Sequence, residues 1–118
     1  MTDKISKNFN RSEFECNCGE CGLDTVDTAL LALLQDVRDK FGPLRVTSGH
    51  RCEDYNKFVG GSKNSYHLQG RAADIVPLTA DIIEVANYIE SINHQGGMGV
   101  YNTFVHLDTR SYKARWRG

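Results

Sequence analysis

Leu30, Leu34, Val37 and Phe41 recur at spacings of four, three and four, which places them on one face of a helix over residues 25–41. Asp24 or Thr25 is positioned to cap its first turn, and Gly42-Pro43 to end it. Leu44–Ser48, with β-branched Val46 and Thr47, predicts a strand that Gly49 breaks. A short helix is expected over residues 54–59, where Tyr55, Phe58 and Val59 form an apolar patch and Gly60-Gly61 stops the chain. Residues 60–70 read as an irregular loop, and residues 72–76 as a second strand ended by Pro77. Thr79 can cap a helix running to Asn93, with Ile82, Val85, Ala86, Ile89 and Ile92 on its apolar face. After the Gly96-Gly97 turn, residues 98–101 and 104–108 read as two strands of an antiparallel hairpin joined through Asn102-Thr103. Helices and strands mix without βαβ regularity, so the pattern predicts an α+β fold, a small antiparallel sheet flanked by helices.

The length of 118 residues suits one domain, and neither a repeat nor a linker divides it. Residues 1–24 form a polar, cysteine-bearing lead-in, residues 25–110 the main body and residues 111–118 a basic tail. The cations at the end, Arg110, Lys113, Arg115 and Arg117, read as a solvated terminus. A net charge of -1 gives no basic footprint for nucleic acid or anionic lipid. No apolar run has the length of a membrane span, so membrane insertion is not expected. The opening residues are polar and lack the apolar centre of a secretion signal, so the chain is expected to be cytoplasmic as synthesised.

The segment with most chemistry is Ser65-Tyr66-His67-Leu68-Gln69-Gly70-Arg71-Ala72-Ala73-Asp74. Asp74 lies in an otherwise small and apolar strand, where a carboxylate is costly unless it is paired or bound to a metal. Gly70 lets the loop turn back, so that His67 and Asp74 can converge. In Phe104-Val105-His106-Leu107-Asp108, strand alternation puts His106 and Asp108 on one face and Val105 and Leu107 on the other. Two neutral imidazoles and one carboxylate, His67, His106 and Asp74, make a catalytic-type zinc site with a fourth position for water. The competing reading is structural: hydrogen-bonded histidines, with Asp74 paired to Arg71 or Arg51.

These residues resemble a known family. The pattern Ser-x-His-x-x-Gly-x-Ala-x-Asp, from Ser65 to Asp74, with a late His-x-Asp from His106 to Asp108, is similar to the zinc D-alanyl-D-alanine carboxypeptidases, which share a fold with the hedgehog signalling domain. Ser48-Gly49-His50-Arg51 fits that family's Ser-Gly-x-Arg element. Gly96 to Tyr101, leading into Phe104-Val105-His106, resembles the closing strands of its short single-domain phage and bacterial members. The resemblance covers roughly residues 10–110. It implies a zinc peptidase, carboxypeptidase or endolysin-like endopeptidase, acting on peptidoglycan stem peptides and released to the wall as a phage lysin is. It makes His67, Asp74 and His106 the zinc ligands, Arg51 the group that steadies the substrate carbonyl or oxyanion, and Ser65 a lining residue of the substrate pocket.

The mechanism implied is a zinc-bound water acidified toward about pH 7, a carboxylate that moves its proton, and a guanidinium facing the oxyanion. One departure stands out. Several relatives carry an acid three residues before the last histidine, and here that position is Thr103. Asp108 is then either the catalytic base or a carboxylate that orients His106. His50 and His94 are lesser base candidates that read as exposed surface residues. The alternative to an enzyme is a catalytically impaired zinc-containing module that recognises wall peptide or a protein partner.

Cys16, Cys18, Cys21 and Cys52 admit three states: a second zinc site of four thiolates, a Cys21–Cys52 disulfide, or free buried thiols. A redox or regulatory domain run by these cysteines is a third functional class.

Overall fold

The structure, a computed structural model, describes residues 3–118; residues 1–2 of the expected lead-in lie outside the described residues. Helix α1, Thr28–Phe41, starts where the Asp27 carboxylate accepts the Leu30 N–H at 3.2 Å. It ends at Gly42, whose φ of 84° is open to glycine at little cost. The cap is thus Asp27, not Asp24 or Thr25, because the helix starts only at Thr28 and the Thr25 N–H turns aside to His50 Nδ1 at 3.0 Å. Helix α3, Ile82–Ile92, is capped by Asp81, which accepts from the Ile83 and Glu84 N–H groups. The Thr79 hydroxyl, expected to do this, donates to the Phe41 carbonyl instead. The short α2, Glu53–Phe58, lies between them in sequence, and its Phe58 is 85 % exposed.

Five strands make the main sheet: β3 (Leu44–Ser48), β4 (Ala72–Pro77), β6 (Val105–Asp108), β5 (Gly97–Val100) and β7 (Ala114–Arg117), side by side in that order. The first four are antiparallel to their neighbours, and β7 runs parallel to β5. Alternation along β4 and β6 puts Ala73, Ile75, Val105 and Leu107 into the core with Leu30, Leu34, Val37, Val85 and Ile89 of the helices. Asp74, His106 and Asp108 alternate with those core residues, so they sit on the face of the sheet away from α1 and α3.

Both ends of the chain depart from expectation. The lead-in forms a small hairpin, β1 (Lys4–Ser6) with β2 (Phe9–Asn10), and a 3-10 turn over Arg11–Phe14. Phe9 and Phe14, each 1 % exposed, then complete the core. The basic tail, expected to be solvated, is instead the edge strand β7. Its Arg115 pairs with both oxygens of Glu90 on α3, at 2.6 and 3.0 Å, and this anchors the strand.

Candidate functional site

A single cross-strand row carries the centre of the site. Ser48, Asp74, His106, Gly99 and Trp116 occupy matching positions on β3, β4, β6, β5 and β7. Side chains on such a row stand side by side, so Asp74 and His106 meet although they are 32 residues apart. Gly99 fills the position between His106 and the edge strand. A Cβ there would lie 2.2 Å from the Trp116 indole nitrogen. Its absence lets the indole reach inward until its ring lies 5.0 Å from the His106 ring.

His67 arrives from outside the sheet. Residues Tyr66–Gln69, expected to be irregular, form a 3-10 turn whose first residue is preceded by Ser65, and the Ser65 hydroxyl accepts the His67 N–H at 3.2 Å. Gly70 closes the turn at φ 69° and packs where a Cβ would meet the Thr25 carbonyl at 2.6 Å. Glycine is therefore required there on both conformational and steric grounds.

His67 Nε2 and His106 Nδ1 both point at Asp74 Oδ1, at 3.3 and 2.9 Å. The three ligand-type atoms all lie within 4.8 Å of one another. Each ring has its second nitrogen engaged: His67 Nδ1 donates to the Gly49 carbonyl at 2.7 Å, and His106 Nε2 to Asp108 Oδ2 at 2.8 Å. These acceptors hold the rings in place and leave one nitrogen of each for the centre. An imidazole nitrogen that faces a carboxylate at this range carries a proton or has a cation between them. Two protons and one divalent cation carry equal charge, so the donor set accommodates either without altering its net charge.

Burial alone would raise the Asp74 carboxyl, but the hydrogen bonds and charges of His106 and His67 outweigh it and hold it well below the usual range. Asp108, fully buried, is likewise held low against burial by Arg110 and His106. Burial would depress His106, yet its bonds to Asp108 and Asp74 raise it above the ordinary imidazole value.

Both oxygens of Asp108 are committed. Oδ1 accepts from the Gly97 and Arg110 backbone N–H groups and from Arg110 Nε, while Oδ2 accepts from His106 and Arg110 Nη2. Of the two roles the sequence leaves open, this geometry favours the carboxylate that orients His106. Arg51 stands on the other side of Asp74, with Nη2 3.3 Å from Oδ2. Ser48 Oγ and the buried Asn56 Oδ1 accept its Nε and Nη1. Asn56 has no part in the sequence reading, where it is one polar residue among many, and Arg110, expected to be a solvated cation of the tail, is instead bound to the buried Asp108; only folding brings them beside Arg51 and Asp108.

The donors lie at the floor of a cleft of about 480 Å³ whose wall includes Ser65, Tyr66, Tyr101, Phe104, Tyr112 and Trp116. Thr103 is exposed and outside the cleft lining. His94 is exposed as expected, but His50 is buried, its ring accepting from the Thr25 N–H. The sulfurs of Cys16, Cys18, Cys21 and Cys52 form a second cluster, also within 4.8 Å of one another. None of the four is disulfide-bonded, which sets aside the Cys21–Cys52 bridge in this structure. Among the described residues no helix is long and apolar enough to cross a membrane.

Fold and site together define an α+β domain with an open donor set of two imidazoles and one carboxylate in a cleft on the free face of its sheet. The chain belongs to the peptidase M15 family, whose profile matches residues 7–108. That span takes in His67, Asp74, His106 and all four cysteines, and it agrees with the resemblance read from the motifs. The chain is also 39% identical over 82 residues to a Haemophilus influenzae protein described as probable peptidoglycan L,D-endopeptidase MepK. The match covers 64% of this chain and 43% of the relative, so the chain spans less than half of the length of the curated relative it matches.

Proposed function

We propose that this chain is a zinc-dependent peptidase that cleaves within the stem peptides of peptidoglycan. The observation that carries the reading is the convergence of His67 Nε2, His106 Nδ1 and Asp74 Oδ1 on one point, with the far nitrogen of each ring locked by Gly49 and Asp108. Donor type, donor number and supporting acceptors all suit a zinc centre with one position open to the cleft. A zinc ion held there supplies Lewis acidity to a peptide carbonyl and acidifies water for attack.

The chain's own residues do the rest. Arg51 commits three of the five N–H donors of its guanidinium to Ser48, Asn56 and Asp74. The remaining donors face charge developing on the carbonyl oxygen. The stacked rings of Tyr101 and Phe104, 4.2 Å apart, and the Tyr66 and Trp116 rings supply an apolar wall against which a peptide backbone packs. Both cations of the cleft, Arg51 and Arg110, already face carboxylates, Asp74 and Asp108. Among the described residues no unpaired cation in the lining waits for a terminal carboxylate, which favours endopeptidase over carboxypeptidase action. The relative's description as an endopeptidase points the same way.

A second reading has a specific observation behind it. Among the described residues Asp74 is the only carboxylate lining the cleft and it is occupied, Asp108 is enclosed, and Thr103 replaces the acid that several relatives carry. A domain without a free base can bind wall peptide without cutting it. Incubating the zinc-loaded protein with purified peptidoglycan, and analysing soluble products by mass spectrometry, separates the two. Released muropeptide fragments support endopeptidase action, and free D-alanine alone would mean a carboxypeptidase. Zinc-dependent sedimentation with the wall and no product at high enzyme would establish the binding module.

A further inference from the structure

The four cysteines lie apart from the cleft, and the peptidase reading makes no use of them. We propose that Cys16, Cys18, Cys21 and Cys52 form a second metal site, a closed tetrahedral zinc centre of four thiolates that staples the N-terminal segment to the loop carrying Arg51.

The spacing of the sulfurs suits a tetrahedral metal site. Zinc–sulfur bonds of about 2.3 Å in a tetrahedron place the sulfurs about 3.8 Å from one another. The Cys16 and Cys52 sulfurs are 3.8 Å apart across 36 residues of chain, and all four lie within 4.8 Å of one another. A disulfide needs about 2.05 Å. Convergence of four sulfurs, rather than contact between two, is what a metal requires and a bridge does not.

Local structure is arranged for thiolates. Cys18 and Cys21 have the two-residue gap common in zinc sites, which the tighter Cys16–Cys18 spacing obscures in the sequence. Gly19 and Gly22 take φ values of 76° and 71°, and they turn the chain around the cluster. Backbone N–H groups of Glu20 and Cys21 donate to Cys18 Sγ at 3.4 and 3.3 Å. The Cys52 N–H donates to Cys16 Sγ, and the Tyr55 N–H to Cys52 Sγ, each at 3.4 Å. Three of the four sulfurs thus accept N–H bonds of the kind that favour negative sulfur.

The staple bears on the first site by position. Cys52 directly follows Arg51 and caps α2, whose Asn56 holds the Arg51 guanidinium. The same loop offers Gly49 O to His67, and the His50 N–H bonds to the Phe14 carbonyl beside Cys16. The second metal is structural: closed by four ligands, it has no position for substrate.

Elemental analysis and native mass spectrometry of the full chain, with cobalt substitution, test this. The Cys18→Ser/Cys21→Ser double variant should lose one zinc per chain and the intense thiolate-to-cobalt absorption. His67→Ala should keep that absorption and one thiolate-bound zinc, so failure of the peptidase reading leaves this outcome unaffected. Because the cysteine variant can fail to fold, the native chain supplies the second measurement. Its four thiols should resist alkylation until a chelator strips the metal, then all four should react. A disulfide in the isolated protein, four thiols that alkylate freely without chelation, or iron in place of zinc would each overturn the proposal.

Discussion

Zinc uptake by His67, Asp74 and His106 should depend on pH through the protons it displaces. Asp74 is held ionised by its neighbours and has no proton to give. His67 keeps its Nδ1 proton on the Gly49 carbonyl and His106 its Nε2 proton on Asp108, so only Nε2 of His67 and Nδ1 of His106 exchange a proton for metal. The second proton of His106, which its two carboxylates favour, must leave for metal to bind, so below the folded value of His106 the affinity should rise about tenfold per pH unit, or about 1.4 kcal/mol. The chain has one tryptophan, Trp116, whose ring lies 5.0 Å from that of His106, so its fluorescence reports this site separately from the cysteine cluster. Titrations against a competing chelator across the acidic range and through neutrality would give the slope. An affinity independent of pH, or one that falls as pH rises, would refute the assignment of these two nitrogens as ligands.

Three further outcomes follow from the same geometry. Asp108→Asn removes the negative charge and one of the two acceptor oxygens shared by His106 and Arg110, and should weaken zinc affinity about 10–100-fold; equilibrium dialysis at fixed pH checks this, and unchanged affinity with lost turnover would return Asp108 to the role of base. Gly99→Ala drives a methyl into the Trp116 indole and should cost about 1–3 kcal/mol in urea unfolding with altered Trp116 emission; an unshifted midpoint would show that the Gly99–Trp116 approach is not tight. In chelator-treated protein, the raised His106 contributes stability that is complete below its unfolded value of about 6.5 and is lost as pH rises through its folded value. The lowered Asp74 and Asp108 contribute stability above about pH 4 that is lost as pH falls toward their folded values. The melting temperature should therefore decline on both sides, and a steady increase from pH 6.5 to about 8.5 would contradict the His106 part.

Local pattern alone determined much of this domain. The buried faces of α1 and α3 are those expected from a 3.6-residue period, because each is a property of about a dozen adjacent residues. Alternation in β6 likewise put His106 and Asp108 on the face opposite Val105 and Leu107, since side-chain direction in a strand reverses at every residue. The ligand-type residues were legible because a carboxylate and a histidine within apolar strands have no cheap solvated alternative. Tertiary structure decided what depends on distant segments. Caps moved from Asp24 or Thr25 to Asp27, where α1 starts, and from Thr79 to Asp81, because the Thr79 hydroxyl is given to the Phe41 carbonyl. The tail became β7 only because Glu90 on α3 and Gly99 on β5 receive Arg115 and Trp116. The choice between base and orienting group for Asp108 rests on Arg110 and His106 closing around it, and the meeting of Cys52 with Cys16, Cys18 and Cys21 on a loop held by Phe14. Such contacts join residues tens of positions apart, so no periodicity in the chain encodes them; they exist only once burial of the shared core has fixed the elements against one another.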